Sequence, residues 1–190
     1  MVQEVLRKEI SLEKDKKVWI FDNIFDLAKR TEIYTYAISS LFKIDGSDNG
    51  LLECKDHLSM VSVYTEIDVH RMGIFNFIPQ DIREEFNINL DTMSHAMINL
   101  CTPSDRFHTH VDNYGKGLTM VYYLNMNWTP EWGGDTLFLN ENGEEIQYLS
   151  QYKPGRMVLF DSSIPHLIRP STVLAPHFRF SFAAKFVSAI

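Results

Sequence analysis

The feature that most limits how this chain can fold is the texture of its second half. From about residue 95 onward, short apolar or alternating runs follow one another, separated by turn residues. They cover residues 96–101, 107–111, 118–126, 135–139, 146–149, 156–160, 166–168 and 178–187. Asn140-Glu141-Asn142-Gly143 reads as a hairpin turn between two of them. In the last run Phe178, Phe180, Phe182 and Phe186 share one parity, and Arg179, Ser181 and Ala183 share the other. One face of that strand is therefore core, and the other carries small residues and a cation inward. Eight short strands at this pitch predict a mainly β chain with flanking helices around a double-stranded β-helix (jelly-roll) core.

The first ninety residues read as mixed support. Asp22-Asn23 can cap a helix running through Ile24, Phe25, Leu27 and Ala28, whose spacing is helical. Residues 34–42 read as extended, and 79–86 as a helix start with acids in its first turn. No repeat, low-complexity tract or linker divides the chain. We therefore expect one domain over 1–190, with a mixed helix and strand region over 1–94 supporting a jelly-roll core over 95–190.

Bulk composition excludes several classes of function. A formal charge of −7 argues against a nucleic-acid partner, which needs clustered Lys and Arg. The one dense basic run, Lys14-Asp15-Lys16-Lys17, is broken by an acid and reads as a solvated turn. No apolar run approaches membrane-spanning length, and the N-terminus lacks a signal peptide's apolar stretch, so a cytoplasmic location is expected. Cys54 and Cys101 are too few for a disulfide scaffold and are expected to be reduced thiols in or near the core. No oligomer signature is legible.

Two segments carry chemistry: Phe107-His108-Thr109-His110-Val111-Asp112 and Ile164-Pro165-His166. In an extended segment, residues two apart point to one face, so His110 and Asp112 can reach one point in space. A later strand can bring His166 to the same point. Two imidazoles and one carboxylate form the facial triad of non-haem Fe(II) oxygenases, which leaves sites open for a co-substrate and dioxygen. His108 shares the parity of His110, so a His108/His110/His166 trio suited to zinc or a cupin-type site is the competing set. A cupin would supply a Glu a few residues on, and residues 113–117 contain none. His57, His70, His95 and His177 receive no role.

An inward Arg179 is costly unless an anion meets it. With Ser181 beside it, its guanidinium is a natural receptor for a carboxylate. Tyr123 can add a phenol hydrogen bond to the same group. Its alternative is core packing, as it is for Trp128 and Trp132 at a site mouth.

His110-Val111-Asp112-Asn113, the stretch 118–128, Gly133-Gly134-Asp135, Gly155 to Phe160 and Pro165-His166 together resemble the 2-oxoglutarate and Fe(II)-dependent dioxygenases. Within them the resemblance is to the prolyl hydroxylase branch, including the oxygen-sensing prolyl hydroxylases, and it covers roughly residues 95 to 187. It implies Fe(II) held by His110, Asp112 and His166. It also implies 2-oxoglutarate anchored by Arg179 and Tyr123, with dioxygen consumed and succinate and carbon dioxide released as an unactivated carbon is hydroxylated. The expected substrate is a prolyl residue of a peptide, with a free amino acid or another small metabolite as the other candidates. Gly133-Gly134 matches the family's tight turn and needs no catalytic role.

Three departures bear on the substrate. Cys101 stands where many relatives place a co-substrate-binding Tyr, Lys185 where a Trp is common, and the interval from His166 to Arg179 is longer than in the oxygen-sensing enzymes. A nucleobase demethylase would carry a second Arg that 179–185 lacks. The alternative from another class is a non-enzymatic or cupin-like metal-binding jelly roll, against which the intact His110, Asp112, His166 and Arg179 argue.

Overall fold

The strand most sharply patterned in sequence, β11 (Arg179–Val187), lies inside the larger of two sheets in the computed structural model, which describes residues 4–45, 59–105 and 107–189. It pairs antiparallel with β5 (Met93–Cys101) on one side and β6 (Gly117–Tyr123) on the other. β9 (Met157–Asp161) and β2 (Lys17–Asp22) continue the sheet beyond β6 to β1 (Leu6–Ser11) at one edge. Beyond β5 lie β4 (Ser59–Val63) and β3 (Lys43–Asp45) at the other. A smaller sheet has the order β10 (His166–Ile168), β7 (Thr136–Leu139), β8 (Ile146–Ser150). The described helices are α1 (Leu27–Ile38), α2 (Glu66–Met72) and α3 (Gln80–Phe86).

The two parities of β11 explain how these layers stack. Phe180, Phe182 and Phe186 enter one buried cluster with Ile33 and Ala37 of α1, Val69 of α2, and Ile82 and Phe86 of α3. The opposite face meets the small sheet, where Tyr123, Val158 and Phe160 pack with Phe138 and Tyr152. Because facing strands keep register, the face toward the small sheet reads in rows. Arg179 stands opposite Cys101, Ser181 between Asn99 and Tyr123, Ala183 between Met97 and Val121, and Lys185 between His95 and Thr119. Those rows are the floor of the site. Phe178 departs from the pattern: it lies just outside the strand and is exposed, so it is not core.

Seven of the eight runs expected after residue 95 are strands. The hairpin turn over 140–143 also forms, closed by the Gly143 amide donating to the Asn140 carbonyl (2.9 Å) with Gly143 at φ 71. The eighth run, 107–111, is not a strand. Only His110 pairs, through an isolated antiparallel bridge to His166, and the backbone otherwise follows an irregular path.

The N-terminal expectations need more correction. The first helix begins at Leu27 and is capped by Asp26, whose side chain accepts from the Lys29 amide (2.8 Å). Asp22 ends β2, Asn23 has φ 65, and Ile24 and Phe25 are buried before the helix starts. Residues 34–42 are not extended: α1 runs to Ile38, because Ile33 and Ala37, four apart, are what it buries. The helix expected near 79–86 is α3. Strands β1 to β4 all fall in the region read as mixed. The Lys14 run forms an exposed turn with Lys14 and Asp15 at positive φ before β2 starts at Lys17. Cys54 and His57 lie outside the described residues, while Cys101 is a buried thiol. Among the described residues no helix is long and apolar enough to cross a membrane.

Candidate active site

His110 and His166 are held by each other's backbone. The His110 amide donates to the His166 carbonyl (3.0 Å) and the His166 amide to the His110 carbonyl (2.9 Å). The Asp112 amide then donates to Ser162 O (2.9 Å), which pins the irregular segment against the turn preceding β10. So the two ligand segments meet without a continuous strand between them.

The side chains converge in turn. His110 Nδ1 lies 3.0 Å from the His108 carbonyl and His166 Nδ1 lies 2.9 Å from the Ile164 carbonyl. A carbonyl can only accept, so each Nδ1 carries the proton and each Nε2 presents its lone pair. His110 Nε2 is 3.7 Å from Asp112 Oδ1, and His166 Nε2 is 3.6 Å from Asp112 Oδ2. One ligand atom from each of the three lies within 4.8 Å of the others, a set able to hold one metal ion. His108 is exposed and its imidazole is not part of this set; its contribution is the carbonyl that orients His110. The cupin-type trio is not assembled.

Asp112 is the most constrained ligand, with only 2 % of its side chain exposed. Thr119 Oγ1 donates to Oδ2 (2.6 Å) and Lys185 Nζ pairs with Oδ1 (2.8 Å). Burial works to raise this carboxyl. The charges of His166 and Lys185, with hydrogen bonds from Lys185 and Thr119, outweigh it and bring the pKa down to about 2. For His166, burial dominates over the attraction of Asp112, and its pKa falls to about 4. At neutral pH the site therefore presents an ionised carboxylate and a neutral imidazole, the forms that bind a metal.

The other end of the site is built around Arg179, which is 0 % exposed. Its Nε donates to Gly134 O (2.8 Å) and its Nη1 to Ser181 Oγ (2.9 Å), with Cys101 Sγ 3.9 Å from Nη1. The guanidinium lies over Tyr152 (4.8 Å) and Tyr123 (5.5 Å), two rings stacked 4.4 Å apart. Its Nη2 has no hydrogen-bond partner, and among the described residues no carboxylate pairs with it. A buried cation with an orphaned donor has the chemistry to receive a carboxylate. The arrangement fits a dicarboxylate co-substrate reaching from the metal ligands to Arg179.

Ser181 and Tyr123 sit where the sequence places them, beside Arg179. The Tyr123 hydroxyl donates to Thr136 Oγ1 (2.9 Å), and burial raises its pKa, so it stays a neutral phenol. Cys101 is likewise pushed up by burial and is a thiol. Trp128 is packing: its indole donates to Gly133 O (2.8 Å) and its ring lies against Tyr152. Trp132 stacks edge-on to Trp128.

Four residues were not assigned a site role from sequence. Thr119 and Lys185 hold Asp112, Tyr152 backs Arg179, and Gly134 supplies the carbonyl on Arg179 Nε. Gly134 has φ 82, and an added Cβ would stand 3.1 Å from Arg179 Cδ. Parity along 117–123 and 179–187 points Thr119 and Lys185 at the site; nothing in the sequence points to Tyr152.

Two imidazoles and a carboxylate near a buried, unpaired guanidinium, inside a jelly roll, are the parts that a non-haem iron oxygenase requires. Residues 96–186 match the 2OG-Fe(II) oxygenase superfamily. The fold is similar to a prolyl-4-hydroxylase from Pseudomonas putida, at 15% identity and TM-score 0.66 over 91% of this chain and 93% of that one. It is also similar to a Trichoplax adhaerens prolyl hydroxylase in complex with a hypoxia inducible factor oxygen degradation domain peptide fragment (19% identity, TM-score 0.63, 90% and 83% covered). HygX from Streptomyces hygroscopicus, with nickel and 2-oxoglutarate bound, is a further likeness at 10% identity and TM-score 0.63, with 91% and 83% covered. No curated protein matches the chain in sequence. The segment 96–186 belongs to the 2OG-Fe(II) oxygenase superfamily, and the fold around it is prolyl hydroxylase-like. It is a dioxygenase domain whose cofactors are Fe(II), 2-oxoglutarate and dioxygen.

Proposed function

We propose that His110, Asp112 and His166 bind Fe(II), that Arg179 with Ser181 and Tyr123 receives the distal carboxylate of 2-oxoglutarate, and that the enzyme hydroxylates an unactivated carbon. The observation that carries this is the orphaned Nη2 of a fully buried Arg179, on the same sheet face as Thr119 and Lys185, which hold Asp112. When bound, iron and 2-oxoglutarate supply the oxidising chemistry, with succinate and carbon dioxide as by-products. The chain itself orients and shields. Thr119 fixes the rotation of Asp112, the His108 and Ile164 carbonyls fix the two imidazoles, and the stacked Tyr123 and Tyr152 keep water from Arg179.

The substrate we propose is a peptide or small molecule, with a prolyl residue as the first candidate. Support comes from the likeness to two prolyl hydroxylases, one of them holding a peptide. We also read 1–190 as one catalytic unit, since one buried cluster joins Trp19, Ile33 and Val69 to Leu118 and Phe182.

The test is anaerobic addition of Fe(II) and then 2-oxoglutarate to metal-free protein, watching for the weak visible charge-transfer band of the chelate. A band that weakens in Arg179→Ala is the expected result. Tight zinc binding with no band would overturn the oxygenase reading in favour of a cupin-like metal protein.

A further inference from the structure

We infer that Lys16, in the turn between β1 and β2, is a positioning residue of the metal site, acting through the Ser163 carbonyl on His166 and Asp112. This rests on the proposed oxygenase reading and deepens it. Between β9 and β10, successive carbonyls are each in use. Ser162 O accepts from the Asp112 and Asn113 amides (2.9 and 3.1 Å), and Pro165 O accepts from the Leu139 amide of β7 (2.8 Å). Ile164 O lies 2.9 Å from His166 Nδ1. The two carbonyls that hold ligand residues, Ser162 O and Ile164 O, are therefore separated by Ser163 alone. Ser163 O is the one that Lys16 holds, accepting from its Nζ at 3.1 Å.

Asp161 pins the same segment from within. Its Oδ1 accepts from the Ser163 amide (2.9 Å) and hydroxyl (2.6 Å), and its carbonyl accepts from the Ile164 amide (3.0 Å). Each peptide unit of the turn is thus held on both sides. The 162–163 unit lies between Asp161 Oδ1 and the Asp112 amide, and the 163–164 unit between Asp161 O and Lys16. A peptide unit anchored on one side alone can swing about its two flanking soft dihedrals. A swing at 163–164 re-aims Ile164 O and with it the imidazole of His166, since the group behind a ligating ring sets its orientation. The turn that delivers Lys16 is itself strained: Lys14 and Asp15 hold φ 56 and 57, a region costly for residues other than glycine. It is fastened to the 140–147 hairpin by the Glu13 amide on Gln147 Oε1 (3.2 Å) and by the Lys14–Glu141 ion pair. Among the described residues Lys16 forms no ion pair, and its ammonium makes a charge-assisted bond to a backbone carbonyl instead. Its neighbour Lys17 makes the ordinary surface contact, 3.3 Å from Glu9 Oε1.

The test compares Lys16→Met, which keeps the stem and removes the donors, with Lys16→Arg, which keeps a donor, and with Lys17→Met, which loosens the same hairpin at its surface pair. Two properties of the full chain are read. One is solvent exchange of the His166 Nδ1 proton in metal-free protein, by proton NMR, the signal being assigned by its absence in His166→Gln. The other is Mn(II) affinity. In Lys16→Met the ring proton should exchange severalfold faster and Mn(II) should bind about tenfold more weakly, the lower end of the loss for an outer partner of a metal ligand. Lys16→Arg should restore both, and Lys17→Met should leave both at the wild-type value. Asp161→Ala should also weaken Mn(II) binding, and its loss should combine with that of Lys16→Met less than additively, because both act on one turn. Wild-type behaviour in Lys16→Met would overturn the inference. So would equal changes in Lys16→Met and Lys17→Met, which would reduce Lys16 to a staple of the hairpin, or strictly additive losses, which would place its action elsewhere than the Ser163 turn. If the wild type binds no Mn(II), the oxygenase reading fails separately, and the ring-proton exchange still decides the role of Lys16.

Discussion

The Arg179 guanidinium lies 4.8 Å from the centre of the Tyr152 ring, and the Tyr152 hydroxyl is bonded to Asn125 Oδ1 and to the Phe180 carbonyl, each at 2.6 Å. One residue thus braces the proposed anion receptor and ties the loop after β8 to the strand that carries Arg179. Asn125 completes the unit, accepting from the Phe180 amide (2.8 Å) and donating to the Phe178 carbonyl (2.9 Å). The receptor is therefore rigid before any co-substrate arrives, which lowers the cost of ordering it on binding.

The two roles of Tyr152 can be separated. Tyr152→Phe keeps the ring under Arg179 and leaves buried partners without their hydrogen bonds, at about 2 kcal/mol. That corresponds to a fall in Tm of about 4–8 °C for a chain of this size. Affinity for 2-oxoglutarate should change little. Tyr152→Leu removes the ring as well, and 2-oxoglutarate binding should weaken by about tenfold, since a desolvated cation–π contact is worth on the order of 1–2 kcal/mol. Calorimetry and a 2-oxoglutarate titration on the same two variants check this. Equal affinities in both would deny the ring any part in the receptor.

Gly134 offers a test of Arg179 that leaves the guanidinium in place. Alanine at φ 82 is strained by about 1–2 kcal/mol, and its Cβ would press on Arg179 Cδ from 3.1 Å. Gly134→Ala should weaken 2-oxoglutarate binding by about tenfold or more, the equivalent of 1.4 kcal/mol, while Mn(II) affinity stays at the wild-type value. Loss of both together would indicate general damage to the small sheet rather than displacement of Arg179.

What was legible in the sequence follows the physics of each element. The jelly roll could be read because β11 and its neighbours alternate over enough residues to fix which face is buried. β2 was not read as a strand, because it carries Val18, Trp19, Ile20 and Phe21 in succession, all buried. A strand covered on both faces does not alternate. The start of α1 was misplaced since Asp22 and Asp26 are both plausible caps, and only tertiary packing of Ile24 and Phe25 decides between them. His110, Asp112 and His166 were found although 107–111 is not a strand: residues two apart share a face in any locally extended segment. Tyr152 and Gly134 act through a ring face and a carbonyl, which no motif advertises.

The cradle of Asp112 predicts how metal affinity divides among its neighbours. Thr119→Val removes the hydrogen bond to Oδ2, and loss of such an outer partner typically weakens metal binding by about 10–100-fold. Asp112→Ala should abolish tight Mn(II) binding, and His108→Ala should leave it unchanged, because the His108 carbonyl that orients His110 survives the substitution. A His108→Ala variant that loses metal while Asp112→Ala retains it would restore the cupin-type assignment.

Acid sensitivity should trace in part to a site remote from the metal. Asp22, at the end of β2, accepts from Arg156 Nε (2.8 Å), Arg156 Nη2 (3.0 Å) and Lys153 Nζ (2.9 Å), with 12% of its side chain exposed. Burial works to raise its pKa, but Arg156 and Lys153 outweigh it and the carboxyl titrates below its ordinary value. The folded state thus binds this proton less readily than the unfolded chain. Its stabilisation is complete above the ordinary aspartate value of 3.8 and is lost as pH falls through the lower folded value. Asp22→Asn should cost about 3 kcal/mol at pH 7, where it leaves Arg156 without its carboxylate. From pH 7 to 4 the urea midpoints of wild type and variant should run in parallel. Below that they should converge, since the wild type alone still has this ion pair to lose. A gap that stays constant to the acid limit would show that Asp22 contributes by hydrogen bonding and packing alone, with no part for its charge.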